Sequence, residues 1–290
     1  MSWFVDPFTS NEFMQRALLA GVLVAVACAV VGTFVVLRGL AFIGDALAHG
    51  VLPGVAAALL LGWPGLIGAL AGAIAMIAGV SVVTRHSRLS SDTAIGLLFV
   101  GMLALGVVMV SHSRTFTGDI VNILFGEVFG VAVADLWVQA AATGAVVVVA
   151  LVCARPFLLL SFDPDQAEVS GFRSSRYHHV MLGLIAVTVV VSFQTVGTLL
   201  VFGMLLAPAG TGALLAHRIG PMVAWATAIG VGSVYAGLLV SYHWDVAGGA
   251  AVVLCAVGTF FAVLAATGVR GAWLARPRAR PATTVAAGGS

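Results

Sequence analysis

Ala17-Leu-Leu-Ala-Gly-Val-Leu-Val-Ala-Val-Ala-Cys-Ala-Val-Val-Gly-Thr-Phe-Val-Val-Leu37 holds no charged residue from end to end. About 20 consecutive apolar residues suffice for a helix to cross the hydrocarbon core of a bilayer, so this stretch reads as a membrane span. Further runs of the same kind lie at about 40–61, 65–84, 94–111, 132–153, 178–194, 196–216, 221–240 and 246–268. The whole chain agrees. Of its 290 residues 61% are hydrophobic and 8% charged, whereas a soluble domain carries roughly 25% charged residues. So few charges cannot coat a water-facing surface, and lipid is the solvent for most of this one. The expected fold is an all-α integral membrane protein with about nine transmembrane helices. The runs 178–194 and 196–216 are divided only around Gln194, which leaves eight as the alternative.

The positions of arginine orient the chain, because cytoplasmic loops collect positive charge. Arg38 follows the first run, Arg85 and Arg88 the third, Arg155, Arg173 and Arg176 the fifth, Arg218 the seventh, and Arg270 the ninth. The even exits, at Gly62–Pro64, Gln194 and Tyr242–Asp245, carry none; Arg114 is the exception. Nine helices with the N-terminus outside and the C-terminus in the cytoplasm satisfy this pattern. The first sixteen residues include Asp6 and Glu12 and lack the positive start of a secretory signal, so the first run is expected to be retained. Residues 1–268 form the transmembrane domain in this reading. Residues 269–290 form a basic, then disordered cytoplasmic tail, with Arg276, Arg278 and Arg280 before a stretch rich in Ala, Gly, Pro and Thr. Net charge is only +2, and no basic patch suits nucleic acid.

The longest cytoplasmic loop, 154–177, contains Ser161-Phe-Asp-Pro-Asp-Gln-Ala-Glu-Val-Ser-Gly171. Asp163 suits a helix N-cap, Pro164 the first helical position, and Gln166 the third residue of a capping box. Asp165 and Glu168 complement the helix dipole, and Gly171 can stop the helix at positive φ. A helix over about 164–170 is expected. It is too short to stand alone, so it needs a surface to dock on, either a partner protein or its own membrane helices.

The second run holds the residues with the most chemistry: Gly44-Asp45-Ala-Leu-Ala-His49-Gly-Val-Leu-Pro53-Gly54. Asp45 and His49 are spaced i, i+4, so carboxylate and imidazole share one helix face. Ionisable groups within a span are costly and face a cavity or each other. Pro53 has no N–H for the carbonyl of His49, four residues back, which frees that oxygen beside the imidazole. Carboxylate, imidazole and carbonyl suit a borderline divalent cation such as zinc or manganese. A proton relay and a purely structural pair remain the alternatives.

Other polar residues say less. His243 and Asp245 fall in an expected outer loop, 241–246, where they can greet an incoming cation or simply face water. His112, at the outer end of the fourth run, carries the same two readings. His86, His178, His179 and His217 fall near cytoplasmic ends and read as interface residues. Pro208 frees the carbonyl of Met204, foremost a kink. Asp119 and Glu127 border an irregular stretch, 119–131, that lines an aqueous path or faces water. Cys28, Cys153 and Cys255 lie far apart in apolar surroundings and read as small buried hydrophobes. Neither an HExxH metalloprotease motif nor a GxxxxGK[ST] phosphate loop occurs. No enzymatic activity is expected, and any ATP hydrolysis belongs to another polypeptide.

Taken together and in order, several segments resemble the membrane permease subunit of the ABC-type zinc and manganese importers, the ABC-3 family. They are Gly32-Thr-Phe-Val-Val-Leu-Arg38 with Asp45 through Gly54; Leu124-Phe-Gly-Glu-Val128; Phe162-Asp-Pro164 through Ala167 and Gly171; Val196-Gly-Thr-Leu-Leu200 with Leu205-Leu-Ala-Pro-Ala209; and, more loosely, Ser241-Tyr-His-Trp-Asp245. The likeness spans about 10–268. It implies a type II importer-like permease in a prokaryotic cell membrane, acting as a homodimer with the pathway between the copies. Two ATP-binding cassette ATPases would sit below and an extracytoplasmic metal-binding protein above. It also implies that 164–170 is the coupling helix, with Asp163, Ala167 and Gly171 shaping the ATPase contact, and that Asp45 and His49 touch the metal. Ala247 departs from the proline common in relatives. The transported metal is expected to be zinc, on the strength of His49 and the outer histidines, with manganese next; no cofactor is held permanently. The rival functions are an importer of cobalamin or iron chelates, which needs no intramembrane Asp–His pair, and a proton-coupled secondary carrier, in which Asp45→Asn would abolish coupling.

Overall fold

The computed structural model describes residues 2–111 and 130–274. His112, Arg114, Asp119, Asn122, Glu127, the segment Leu124–Val128 and the tail beyond Leu274 lie outside them. Among the described residues every regular element is a helix: α1 (Ser2–Ser10), α2 (Glu12–Leu37), α3 (Ala41–Leu60), α4 (Gly65–His86), α5 (Ser91–Ser111), α6 (Val133–Val152), α7 (Ala154–Phe162), α8 (Pro164–Val169), α9 (Ser174–Val196), α10 (Thr198–Leu215), α11 (Ile219–Trp244) and α12 (Gly248–Leu274). Nine of these, all but α1, α7 and α8, are long and apolar enough to cross a membrane. A helix closes most of its backbone hydrogen bonds within itself, the condition for crossing hydrocarbon; Pro53 in α3 and Pro208 in α10 each leave one carbonyl without its i+4 amide donor.

The choice between eight and nine spans turns on Gly197. It lies at φ 82°, ψ 164° between α9 and α10, a conformation that excludes a continuous helix and that a residue with a Cβ rarely adopts. The break therefore falls three residues beyond Gln194.

Two other boundaries differ from the sequence reading. α11 runs on to Trp244, so His243 sits in its last turn rather than in a loop. The loop 154–177 begins with α7, whose Phe157 and Leu160 are buried; a nine-residue apolar stretch containing Pro156 is too short to register as a span. The N-terminal α1 docks on α11, with Phe8 stacked on Tyr235 at 5.1 Å between ring centroids.

α2 is the core helix: 67% of its most apolar stretch is buried, against 17% for α5. It packs on α6, α9, α10 and α11. α3 packs chiefly on α4 and α5, while α10, α11 and α12 pack on one another. α9 bridges these groups by touching α2, α3, α4, α6 and α10. In lipid such contacts depend on close approach and on polar bonds between helices, and both occur. A Cβ on Gly32 of α2 would overlap the Leu205 carbonyl oxygen of α10, and one on Gly54 of α3 would overlap the Gly68 carbonyl oxygen of α4. Gln139 of α6 donates to the Ser192 hydroxyl of α9 at 3.3 Å, and the Thr143 hydroxyl to the Leu23 carbonyl of α2 at 3.4 Å.

Candidate metal site and coupling element

α3 carries the candidate site. Tight packing around it sets its position. Gly44 leaves room for Leu205 and Phe202 of α10, Gly50 for Met76 of α4, and Gly106 of α5 for Leu52 and Pro53. Against these neighbours α3 keeps one face partly open. Asp45 retains 32% and His49 20% of its side-chain accessibility in the single chain.

The one-turn spacing brings Asp45 Oδ1 to 3.5 Å from His49 Nε2. That separation is long for a hydrogen bond. A divalent ion about 2.1 Å from each atom would see them at roughly 110°, an ordinary angle between two ligands of one metal. The other ring nitrogen, His49 Nδ1, is buried without a hydrogen-bond partner. The ring meets Phe99 of α5 edge to face, centroids 5.3 Å apart, which fixes its plane. Pro53 lies inside α3, so the His49 carbonyl has no i+4 amide donor. Carboxylate, imidazole and carbonyl thus come from one turn of one helix.

The structure does not gather the weaker candidates at this point. Among the described residues no group of three or more His, Cys, Asp and Glu side chains is placed to hold a metal. His243 and Asp245 close α11, which has no substantial packing on α3. The His243 Nδ1–H donates to the Leu239 carbonyl at 2.9 Å, and Asp245 caps the helix at φ 50°.

The short helix α8 forms as its capping residues predict. One Asp163 carboxylate oxygen accepts from the amides of Asp165 at 3.1 Å and Gln166 at 3.0 Å. At the other end Phe172 N–H donates to Ala167 C=O and Gly171 N–H to Glu168 C=O, both 3.0 Å, with Gly171 at φ 86°. This paired closure is a Schellman motif. Ala167 is fully buried and seats α8 on its own chain, while Val169 is 90% and Phe162 71% exposed. These two exposed apolar side chains escaped the sequence reading, since neither has a capping or charge signature. Their signal was position alone, an apolar residue beside each cap.

Comparison with known proteins agrees with this architecture. Residues 10–267 match the ABC 3 transport family. A "Manganese transport system membrane protein MntC" of Halalkalibacterium halodurans is 38% identical over 91% of this chain and 90% of its own length. A "Probable iron transport system membrane protein" of Haemophilus influenzae is 38% identical over 92% of this chain and 98% of its own. Among solved structures, "PsaBC from Streptococcus pneumoniae in complex with Fab" aligns with a TM-score of 0.82 at 31% identity, covering 90% of this chain and 94% of that one. The chain is a multi-pass membrane permease, and it belongs to the ABC 3 transport family.

Proposed function

We propose that this chain is the membrane subunit of an ATP-driven importer for a divalent transition metal, manganese foremost, with iron and zinc next, and that Asp45 and His49 are transient ligands on its path. The observation carrying this reading is the Asp45–His49 pair, its atoms 3.5 Å apart on the open face of an intramembrane helix. Two side chains per copy make an incomplete shell, which suits an ion that must be released. Two copies facing each other across a pathway would supply two carboxylates and two imidazoles. The resemblance leaned to zinc partly through the outer histidines. His243 instead bonds back to its own helix, and the similar proteins described above are named for manganese and iron. A carboxylate and a freed carbonyl beside one imidazole also suit manganese.

In this assembly two ATPase subunits dock on the cytoplasmic face at α8, a metal-binding protein delivers ions from outside, and the C-terminus is cytoplasmic. The exposed Val169 and Phe162 supply apolar contact for the ATPase; Asp163, Ala167 and Gly171 hold the shape of the element that presents them. Because an Asp–His pair also suits proton transfer, a proton-coupled carrier is the second reading.

The test is manganese, iron(II) and zinc uptake into proteoliposomes holding the full complex, with and without ATP. Asp45→Ala and His49→Ala are expected each to lower uptake of the physiological metal about a hundredfold, the combined loss of a ligand and its orientation, with the complex still assembled. Uptake that needs a proton gradient and no ATP would establish the carrier instead. Normal uptake by both variants would remove the pair from the path.

A further inference from the structure

One cluster at the cytoplasmic ends of α2 and α9 has no part in the site above. Arg38 ends α2, and its Nη1 lies 3.1 Å from His178 Nδ1 and 3.7 Å from Met181 Sδ, both on α9. A guanidinium only donates, so His178 Nδ1 is the acceptor and the ring proton sits on Nε2. Among the described residues no carboxylate lies within ion-pair distance of Arg38. A half-buried cation is thus held by a neutral imidazole and a thioether.

What makes this contact more than a packing detail is what lies on either side. Towards the cytoplasm, Phe172 closes the Schellman motif of α8 and meets Tyr177 edge to face at 5.6 Å; Tyr177 adjoins His178. Towards the membrane, Arg38 is followed by Gly39 at φ 65°, where Gly39 N–H donates to Val36 C=O and Leu40 N–H to Val35 C=O. This second Schellman closure turns the chain directly into α3, which carries Asp45 and His49. Among the described elements α8 packs to any extent only on α7 and α9. Movement at α8 enters the start of α9 and from there has two routes to α3, the packing of α9 on α3 itself and the Arg38 corner. A parallel contact, Phe34 of α2 edge-on to Phe157 of α7 at 5.4 Å, braces the same end of α2 but is apolar and tolerates sliding.

We infer that Arg38 and His178 are positioning residues, and that their hydrogen bond transmits displacement of α8 to the helix bearing Asp45 and His49. The inference rests on the ATP-driven reading above. The link is directional and needs an acceptor at 178 and a donor at 38, whereas apolar packing would need neither.

The experiment measures ATP hydrolysis and manganese uptake in the same proteoliposomes, using the chain assembled with its ATPase and binding-protein partners. His178→Leu removes the acceptor and is expected to lower ions moved per ATP about tenfold, within the range for residues on a coupling path, while ATP hydrolysis persists. His178→Gln restores an acceptor and most of the ratio. Arg38→Met reproduces the loss, Arg38→Lys largely preserves coupling, and Arg38→Met with His178→Leu is no worse than either alone. Wild-type coupling in His178→Leu overturns the inference, as do losses that multiply in the double variant. Should His178→Leu fail to assemble, the Arg38 pair decides: loss with Met and retention with Lys supports the link, and equal ratios overturn it. If the unaltered complex shows no ATP-driven uptake, the transporter reading fails and the link falls with it. Coupled wild type beside unaffected variants overturns the link alone.

Discussion

Ala167 and Val169 are two positions apart, yet they do opposite things. Ala167 is fully buried and Val169 is 90% exposed. In a one-and-a-half-turn helix the capping bonds fix which side faces the chain, so Ala167 holds α8 down and Val169 is offered outward. Arg at 167 would disrupt the seat of α8 and say nothing about docking. Val169→Arg leaves the seat intact. It is expected to reduce ATPase recovered with the purified permease about tenfold, the effect of spoiling a central interface contact, with the thermal stability of the permease alone unchanged. Full recovery of ATPase would remove Val169 from the contact. The i, i+4 spacing of Asp45 and His49 was plain in the sequence because one helical turn fixes it. Which way their shared face points was not, since that depends on how α4, α5 and α10 pack around α3.

α3 is held against α4 in part by near-contact of backbones. Gly54 meets the carbonyl oxygen of Gly68 and the backbone of Gly72, and Gly72 in turn meets the Gly50 carbonyl. Any side chain at 54 must push α3 and α4 apart, and α3 cannot shift without moving His49. Overpacking of this kind costs about 1–3 kcal/mol or more. Gly54→Leu is therefore expected to lower the melting temperature of the purified protein in detergent and to abolish metal uptake. Unchanged melting would mean the two helices are not clamped here. The 35 glycines in the sequence imply close helix packing, but the facing pairs come from contacts between separate segments, which no local pattern encodes. The α9–α10 break was half legible: a weak point was visible near Gln194, but the left-handed backbone of Gly197 placed it.

Across the molecule the chain divides into α2 with α10, α11 and α12, and α3 with α4 and α5, bridged by α9. In the proposed orientation the arginine-rich odd exits of the nine candidate spans among the described residues face the cytoplasm. A cysteine at Trp63, between α3 and α4, is expected to react with an impermeant maleimide in intact cells. One at Ser175, at the start of α9, should react only in inverted vesicles, in a background with the native cysteines replaced by serine. The reverse pattern would invert the orientation and with it the direction of import.

Hydropathy alone made this a polytopic helical membrane protein, because lipid demands long apolar helices whatever their arrangement. Local spacing sufficed for the Asp45–His49 pair and for the cap that starts α8, since each lies within a turn or two of chain. The partners across space came only with packing: Phe99 against His49, Arg38 on His178, and the burial of Ala167 against the exposure of Val169. In a bundle where nearly every face is apolar, hydrophobicity no longer tells inside from outside. The fit of glycine against carbonyl and of donor against acceptor makes that choice.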